Sequence, residues 1–439
     1  MNAHVSDLLN FIDSSPSPYH VVASIETKLQ QFSKNHPHLA QWQRLDETQN
    51  WSLIQGGNYY VVRDDSSIIL FSLGNKPLIN TGFKIIAAHT DSPTLRLKPN
   101  APTVSDGLLR LGVEIYGGPI LASFTDRDLS LAGRISYKTK HALVESCLVL
   151  FEQPLLRLPN LAIHLNRGVN DDGLKLQKQN ELPLILTTLT ENQLPKEAFY
   201  HLLAQKAGIQ PEQLLGYDLA IYDTQKGSFW GANNEFYADS QLDNLASCHA
   251  GLSALLNEQV LTRGNNLICA FFDHEEIGSE SNKGADGSFL SSVLERISSV
   301  FNQNKQDYYQ TLANSFMISA DMAHAYQPSF PLAYEIDHKV FVNQGVVIKS
   351  NANHRYSSDN ISSAMFANWC QQVNVPYQYY VQRCDLACGS TVGPMTAAKL
   401  GIRAVDVGNP MWAMHSIRES AGVFDHEYMI RVMSQFFKE

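Results

Sequence analysis

The hydrophobic positions of the chain predict a series of buried strands. An apolar run such as Leu267–Phe272 is too short, and too apolar on both faces, for a surface helix, so it predicts a strand inside a sheet. A hairpin is expected where the apolar segments 59–62 and 68–73 flank the polar turn 64–67. Further buried strands are expected at 83–88, Phe316–Ala320, Tyr377–Val381 and 404–407.

Residues with helical spacing fill the gaps between these strands. Near the N-terminus, Val21, Val22, Ile25 and Leu29 keep such a spacing behind a Ser-Pro-Ser-Pro start. The other helices are expected at 241–258, 289–301, 363–372, 391–400 and 427–437. Strands that alternate with helices are typical of a sheet covered by helices on both faces. The predicted fold class is therefore α/β, with a mixed sheet in an α/β/α arrangement.

The pattern changes to strands in the middle of the chain. Segments Leu108–Tyr116, 129–137 and 144–151 are strand-like, and a single helix is expected around 195–206. A β-rich block inside a chain of alternating helices and strands indicates an inserted domain. We therefore expect an α/β domain made of residues 1–97 and 238–439, and an inserted β-rich domain at 98–237.

Composition and charge narrow the class of protein. The chain has 439 residues, of which 44% are hydrophobic, enough for a large core and two domains. Its net charge of −10 disfavours binding to nucleic acid or to an anionic membrane. No apolar stretch reaches the ~18 residues that span a bilayer, and the N-terminus does not resemble a signal peptide. Six cysteines form no disulfide framework, so a cytoplasmic protein is expected.

Acidic residues and histidines recur where the predicted strands end. In open α/β sheets, ligands bind beyond the carboxyl ends of the strands, so such residues can converge although they span more than 300 residues of sequence. The residues are His89, Asp91, Glu275, Glu276 and Asp321, together with Asp243 at the start of the 241–258 helix and His415 after the 404–407 strand.

The residue types favour a pair of divalent metal ions. Two histidines and three carboxylates suit zinc, cobalt or manganese. A carboxylate can bridge two ions ~3.5–4 Å apart, as in two-metal hydrolases. Asp243 fits this bridge because the other four ligands then divide equally between the ions. Its expected place in the first turn of a helix also suits a carboxylate.

The pair Glu275–Glu276 follows an apolar run, where adjacent like charges are costly unless a cation or a proton compensates them. Successive side chains of a strand point in opposite directions, so one glutamate is expected to bind metal and the other to take a proton from a water. Asp91 is expected to reach the far ring nitrogen of His89 and fix its tautomer.

Each residue taken alone also has a structural explanation. His89 fits a hydrogen-bonded core histidine, Asp243 an N-terminal helix charge, and Asp321 the cap of a turn. The glutamate pair fits a solvated loop. Their joint placement at strand ends is what favours a metal site.

Six ordered segments of the chain resemble those of the aspartyl aminopeptidases, which are two-zinc metallo-aminopeptidases of peptidase family eighteen. One of them is Asp-His-Glu-Glu-Ile-Gly-Ser at 273–279, and the resemblance extends over nearly the whole chain. The other segments are 87–93, 241–245, 319–325, 388–394 and 414–419.

The resemblance implies a set of roles for the metal site. His89, Asp243 and Asp321 are expected to hold one zinc ion, and Asp243, Glu276 and His415 the other, with cobalt or manganese as possible substitutes. Glu275 is expected to be the general base and acid, with Asp91 beside it in the catalytic site. The implied reaction is hydrolysis of the N-terminal residue from a peptide.

The resemblance also implies a preference for N-terminal Asp or Glu, which needs a cationic pocket. Lys349 matches the family position for this role, and the apolar run 346–348 before it argues against a plain surface lysine. Arg355, Tyr356 and His324 lie on matching segments and are expected to line the pocket.

His164 lies in the inserted domain, which the resemblance describes as a barrel-like dimerisation domain. The family pattern places this histidine in the active site of a neighbouring subunit, and the alternative is a further zinc ligand. The family assembles into dimers and then dodecamers, so a homo-oligomer acting on peptides is expected.

Two other interpretations stay open at this stage. One is another di-metal amide hydrolase of the same architecture, such as a deacylase or a carboxypeptidase. The other is a non-enzymatic assembly protein that has kept the fold. All the expected ligands and Glu275 are present, which disfavours the second.

Overall fold

The computed structural model describes residues 2–439 and divides into two compact units. The first unit contains the described residues up to Asp91, then Gly227–Met414 and Glu419–Glu439. The second unit contains Ser92–Lys226 and the short segment His415–Arg418. The domain functions expected from the sequence, a catalytic part at 1–97 and 238–439 and an oligomerisation part at 98–237, stay predictions.

The described residues form α-helices and β-strands along the whole chain. The helices are α1 (Ala3–Asp13), α2 (Pro18–Asn35), α3 (Leu78–Thr81), α4 (Val169–Asp172), α5 (Pro195–Ala207), α6 (Leu242–Leu255), α7 (Glu258–Leu261), α8 (Phe289–Val300), α9 (Lys305–Ala313), α10 (Asn360–Gln372), α11 (Val392–Leu400) and α12 (Val423–Lys438). The strands are β1 (Trp42–Leu45), β2 (Asn58–Arg63), β3 (Ser67–Ser72), β4 (Lys84–His89), β5 (Thr94–Ser105), β6 (Leu108–Tyr116), β7 (Leu129–Lys138), β8 (Val144–Leu150), β9 (Leu184–Thr188), β10 (Leu214–Asp223), β11 (Ser228–Trp230), β12 (Phe236–Asp239), β13 (Leu267–Phe272), β14 (Phe316–Ala320), β15 (Ala323–His324), β16 (Val346–Ser350), β17 (Tyr377–Val381), β18 (Arg403–Gly408), β19 (Pro410–Trp412) and β20 (Glu419–Gly422).

A nine-stranded mixed sheet forms the centre of the first unit, in the order β1-β2-β3-β13-β4-β14-β18-β16-β17. The four central strands β13, β4, β14 and β18 are parallel, whereas β3 runs antiparallel to β13 and β16 runs antiparallel to β18. The predicted hairpin of β2 and β3 is confirmed. Because the central strands are parallel, their carboxyl ends lie at one edge of the sheet.

Alternate side chains of the central strands enter two different cores. Leu267, Cys269 and Phe271 of β13 pack with helices α1, α2, α6, α10 and α12, while Ile268, Ala270 and Phe272 pack with α8 and α11. This alternation explains why the strand is apolar throughout, since each face is covered by helices. The predicted α/β fold class, with a mixed sheet between helices, is confirmed.

The second unit is built on a six-stranded sheet in the order β8-β7-β10-β5-β6-β9. Its core is formed by alternating apolar residues of these strands and by Phe199 and Leu203 of α5, the helix that the sequence predicts around 195–206. Strand β8 lies at one end of this sheet and exposes Val144 and Leu148.

A smaller five-stranded sheet, β11-β12-β20-β19-β15, also belongs to the first unit. The predicted helix at 241–258 corresponds to α6, and a separate short helix, α7, begins at Glu258, where the side chain of Asn257 accepts the N–H of Gln259. Among residues 2–439, no helix has both the length and the apolar composition needed to cross a membrane.

Candidate metal centre

The acidic residues that follow β4, β13 and β14 lie at the carboxyl edge of the central strands. Strand β13 pairs with β4 so that Phe272 lies opposite His89, and the glutamate pair follows three residues later. Strand β14 pairs with β4 through Ser319 and Ala87, two residues before Asp321 and His89. Because of this parallel register, these side chains lie together at the carboxyl edge of the sheet.

His89 is at the centre of this group and is 1% exposed. Its Nε2 lies 3.5 Å from Oδ1 of Asp243 and 3.9 Å from both Oε2 of Glu275 and Oδ1 of Asp321. Its Nδ1 lies 2.9 Å from the carbonyl oxygen of Asp91 and 3.4 Å from Oδ1 of the same residue. Both of these atoms are acceptors, so Nδ1 carries the hydrogen and Nε2 faces the carboxylates.

Burial alone would lower the pKa of His89, because the charged ring loses its hydration. Hydrogen bonds to Asp243, Asp321 and Asp91 outweigh burial and raise the pKa well above its ordinary value. The cluster therefore favours a positive charge at Nε2, which a proton or a metal ion can supply.

The donor atoms of the first unit fit a divalent metal ion. His89, Asp243 and Asp321 offer ligand atoms within 4.8 Å of one another, and so do His89, Glu275 and Glu276. One imidazole with several carboxylates is a common ligand set for zinc. Buried carboxylates at this spacing repel each other unless a cation compensates them. Oxygens of Asp243 and Glu276 are also within 4.8 Å of each other, so a second ion could share Asp243.

Glu275 and Glu276 are not part of a strand, so the predicted reason for their different directions is wrong. Strand β13 ends at Phe272, His274 takes a left-handed conformation with φ 69°, and Glu275–Ile277 form a 3-10 turn. The carboxylate of Asp91 accepts the backbone N–H groups of Glu275 and Glu276, both at 3.1 Å. Asp91 therefore holds this segment, Glu275–Ile277, which is called the glutamate turn.

Burial raises the pKa of Glu275 well above its ordinary value. The positive charge of His89 opposes this effect, whereas Asp321, Glu276 and Asp91 add to it. A carboxyl group with a raised pKa is a stronger base when ionised, and it can both accept and return a proton.

Asp243 does not lie in a regular helical turn, contrary to the expectation from sequence. Its φ and ψ are −84° and 104°, and Asn244 is also non-helical. Side chains from distant segments hold this irregular start of α6: the Asp243 N–H donates to Oε2 of Glu419 at 3.1 Å, and Nδ2 of Asn244 donates to the carbonyl of Ala320 at 2.8 Å. The packing of these partners overrides the helical propensity of the segment.

His415 belongs to the second unit and also has a left-handed backbone, with φ 69°. Its Nδ1 lies 3.1 Å from the carbonyl oxygen of Gly118. Because this oxygen is an acceptor, Nδ1 carries the hydrogen of the neutral ring and the lone pair is on Nε2. This tautomer leaves Nε2 able to bind a metal ion.

Lys349 lies beside Asp321 rather than on the surface. It is 3% exposed, and its Nζ donates to the carbonyl oxygen of Met322 at 3.0 Å and lies 3.7 Å from Oδ2 of Asp321. The ammonium also sits 5.1 Å above the ring of Tyr356. Burial and a hydrogen bond with Cys388 raise the pKa of Tyr356 above its ordinary value.

The other residues expected at the substrate pocket are more exposed. His324 packs edge-on against Tyr380 and lines a cavity of about 280 Å³ together with Arg383 and Trp412. Arg355 is exposed on the loop that follows β16.

His164 lies in a turn of the second unit and is exposed, with Ile163 and Leu165 exposed on either side. The groups of residues between 2 and 439 that could hold a metal do not include it.

Three buried residues near the site escaped the sequence analysis. Glu419 holds the backbone of Asp243, and Lys283 forms an ion pair with Asp273 beside the glutamate turn. Asp406 accepts hydrogen bonds from Ser319 and other hydroxyl groups behind Asp321. Asp273 belongs to a run of four titratable residues, 273–276, which points to a special environment. Its partner Lys283 could not be identified from the sequence.

Comparison with protein families gives one match over most of the chain. The model of the M18 family, described as "Aminopeptidase I zinc metalloprotease", matches residues 11–437. Curated relatives include a "Probable M18 family aminopeptidase 2" from Ectopseudomonas mendocina, 42% identical over 99% of this chain and 97% of the relative. A protein of the same name from Pseudomonas aeruginosa is also 42% identical, over 98% of this chain and 97% of its own length.

Solved structures give the same result. The chain is similar to one in a cryo-EM structure of an Ape4 and Nbr1 complex, with a TM-score of 0.93 and 37% identity over 99% of this chain and 85% of that one. It is also similar to the mApe1 dodecamer of S. cerevisiae, with a TM-score of 0.85 and 28% identity over 100% of this chain and 97% of that one.

Proposed function

Because the chain belongs to the M18 family of metallo-aminopeptidases, we propose that it removes acidic N-terminal residues from peptides with the help of two zinc ions. The observation that carries the proposal is the buried imidazole of His89, with three carboxylates within 4 Å of its Nε2. This arrangement lies at the carboxyl edge of the sheet, where α/β proteins bind their ligands.

His89, Asp243 and Asp321 are proposed to hold one ion, and Asp243, Glu276 and His415 the other. The tautomers of His89 and His415 support this assignment, since each places its lone pair on Nε2. When bound, two zinc ions polarise the scissile carbonyl and lower the pKa of a water. Cobalt and manganese have similar ligand preferences and are candidates for substitution.

Glu275 is proposed to move the proton. Its carboxylate takes a proton from the attacking water as the new C–O bond forms, and it then gives this proton to the amine nitrogen as the peptide C–N bond breaks. The backbone hydrogen bonds from the glutamate turn to Asp91 support a positioning role for Asp91.

Lys349 is proposed to recognise an acidic side chain of the substrate. Its ammonium has three N–H donors, so it can keep the carbonyl of Met322 and meet a substrate carboxylate as well. Tyr356, His324 and Arg355 are proposed to line the same pocket.

The protein is proposed to work as a homo-oligomer built from dimers, with a dodecamer as the expected size. Similarity to the mApe1 dodecamer supports this proposal. The inserted part, 98–237, is proposed to mediate the assembly and to bring His164 into a neighbouring active site. Exposed apolar side chains around His164 support a contact with a second copy.

The test is a peptide panel combined with metal analysis of the purified protein. Release of N-terminal Asp or Glu from free-amine peptides, with two equivalents of metal per subunit, is the expected result. Turnover of N-blocked substrates alone would instead identify a deacylase, and release of C-terminal residues a carboxypeptidase. Absence of all these activities in the metal-loaded protein would leave a non-enzymatic assembly protein.

A further inference from the structure

A buried ion pair lies at the point where the chain leaves β13 for the glutamate turn. Nζ of Lys283 is 3.0 Å from Oδ2 of Asp273, and these residues are 8% and 1% exposed. Neither has a role in the proposed reaction, although Asp273 precedes Glu275 by only two residues. A lysine that is buried this deeply is rare in proteins unless it is paired.

The pair is held by contacts that join three segments of the first unit. Nζ of Lys283 also approaches Oγ of Ser66 at 2.8 Å and lies 5.4 Å above the ring of Tyr19. The hydroxyl of Ser67 donates to the carbonyl oxygen of Lys283 and accepts the backbone N–H of Asp273, both at 2.8 Å. The turn before β3, the end of β13 and the loop around Lys283 are thus fixed to one another.

Asp273 transmits this anchoring to the glutamate turn. Its Oδ1 accepts the backbone N–H of His274 at 2.8 Å, and His274 takes the left-handed conformation that starts the turn. The turn is therefore held by a carboxylate at its start, Asp273, and by the carboxylate of Asp91 at the N–H groups of Glu275 and Glu276.

Lys283 also compensates charge close to the site. The ring of His274 lies 3.6 Å from Oδ2 of Asp273, but without Lys283 this buried carboxylate would lose its closest cationic partner, which is costly and would favour a displaced turn. The ammonium is engaged with Asp273 and Ser66 and is buried, so it does not face a substrate. Asp273 connects the ammonium to the backbone N–H of His274, where the turn of the two glutamates starts.

We propose that Lys283 is a positioning residue: through Asp273 it fixes the turn that carries Glu275 and Glu276, and so supports proton transfer and metal binding rather than peptide binding. This inference rests on the proposed aminopeptidase function.

The variant Lys283→Met removes the charge and keeps most of the side-chain volume. We expect kcat to fall by about 10- to 100-fold, as is usual when an outer partner of a metal ligand is lost, while KM stays near the wild-type value. Metal affinity, measured by competition with a chelator, should weaken as well. Lys76→Met is the matched control, because Nζ of Lys76 donates to the side-chain oxygen of a neutral amide, Asn265, and its loss should leave kcat and metal affinity unchanged.

A double-mutant cycle with Asp273→Asn separates positioning from general stability. If the two residues act as one unit, the double variant Lys283→Met/Asp273→Asn loses no more activity than Lys283→Met alone, since both buried charges are gone. Losses that add, or a Lys283→Met enzyme with wild-type kcat and metal affinity, would overturn the proposal. So would a lower melting temperature with unchanged kcat per folded subunit.

The same variants also give an answer if Lys283→Met does not fold or if the wild-type protein has no peptidase activity. If Lys283→Met does not fold, the double variant is compared with Asp273→Asn. Equal kcat and equal metal affinity in these two proteins would support the proposal that Lys283 acts through Asp273. A further loss in the double variant would contradict it. If the wild-type protein shows no peptidase activity, the proposed function fails, and the chelator competition still tests whether Lys283 supports the metal ligands.

Discussion

Glu275 and Glu276 are neighbours whose backbone N–H groups share one acceptor, Asp91, yet their carboxylates have different surroundings. Glu275 is close to Nε2 of His89 and its pKa is raised, chiefly by burial. Glu276 has an oxygen within 4.8 Å of Asp243. These surroundings suit a proton carrier and a metal ligand respectively.

Exchange of Glu275 for glutamine tests this division of roles. Glu275→Gln keeps the size of the side chain and removes the titrating oxygen, so we expect kcat to fall by about 100-fold or more with the metal content unchanged. Steady-state kinetics and metal analysis check both parts. Glu280→Gln, an exposed change in the same loop, is the control and should behave as wild type. Wild-type turnover in Glu275→Gln would remove Glu275 from the mechanism.

Lys349 is the residue on which substrate preference depends in the proposal. Lys349→Met should lower kcat/KM for N-terminal Asp or Glu by about 10- to 100-fold more than for N-terminal Leu or Ala, because a charge-assisted hydrogen bond is lost only with the acidic substrates. A disturbance of Asp321 would lower kcat/KM for acidic and neutral substrates alike, so the ratio of the two losses isolates the effect on substrate preference. Equal losses on acidic and neutral substrates would show that the lysine supports the metal site and not the preference.

At the scale of elements, the strands were predictable and the turns between strand and site were not. A strand such as β13 is covered by helices on both faces, so all its residues must be apolar, and such an apolar run can be recognised in the sequence. The 3-10 turn at Glu275–Ile277 and the irregular start of α6 depend on Asp91 and Glu419, which lie far away in sequence. The sequence therefore predicted a candidate site at the strand ends, whereas the positions of its side chains follow from the folded structure.

Helix α2 provides a prediction about pH at this scale. His20 lies in its first turn, hydrogen-bonded to Ser17, and burial lowers the pKa of His20 to about 4. The unfolded chain has an ordinary histidine pKa near 6.5, so between pH 6.5 and about 4 it binds more protons than the folded state. Stability is therefore expected to fall as the pH falls through this window.

The expected contribution of His20 is about 2 kcal/mol of unfolding free energy between pH 7 and pH 5. Urea unfolding of wild type and His20→Asn at both pH values, with a chelator present, measures it. Metal ligands titrate alike in the two proteins, so the difference between them isolates His20. The variant should lose less stability on acidification, and an identical loss in both would mean that His20 is protonated in the folded state.

At the scale of the whole molecule, the histidines proposed for chemistry are divided between the two units. His89 lies in the first unit, while His415 and His164 lie in the second. The metal ligand groups of the described residues do not include His164, and this residue is surrounded by exposed Leu161, Ile163 and Leu165. An exposed apolar patch of this kind is typical of a contact between subunits.

Mixing two inactive variants tests whether His164 acts in a neighbouring subunit. His164→Ala and Glu275→Gln should each be nearly inactive as homo-oligomers. In a mixed dimer, the His164→Ala subunit keeps Glu275 and receives His164 from its partner, so one of its two sites is restored. Dissociation, equal mixing and reassembly should thus recover about one quarter of the wild-type activity, the statistical share of such sites in a two-fold symmetric pair. No recovery, with mixed oligomers verified by native mass spectrometry, would place His164 in its own subunit's chemistry or outside the reaction.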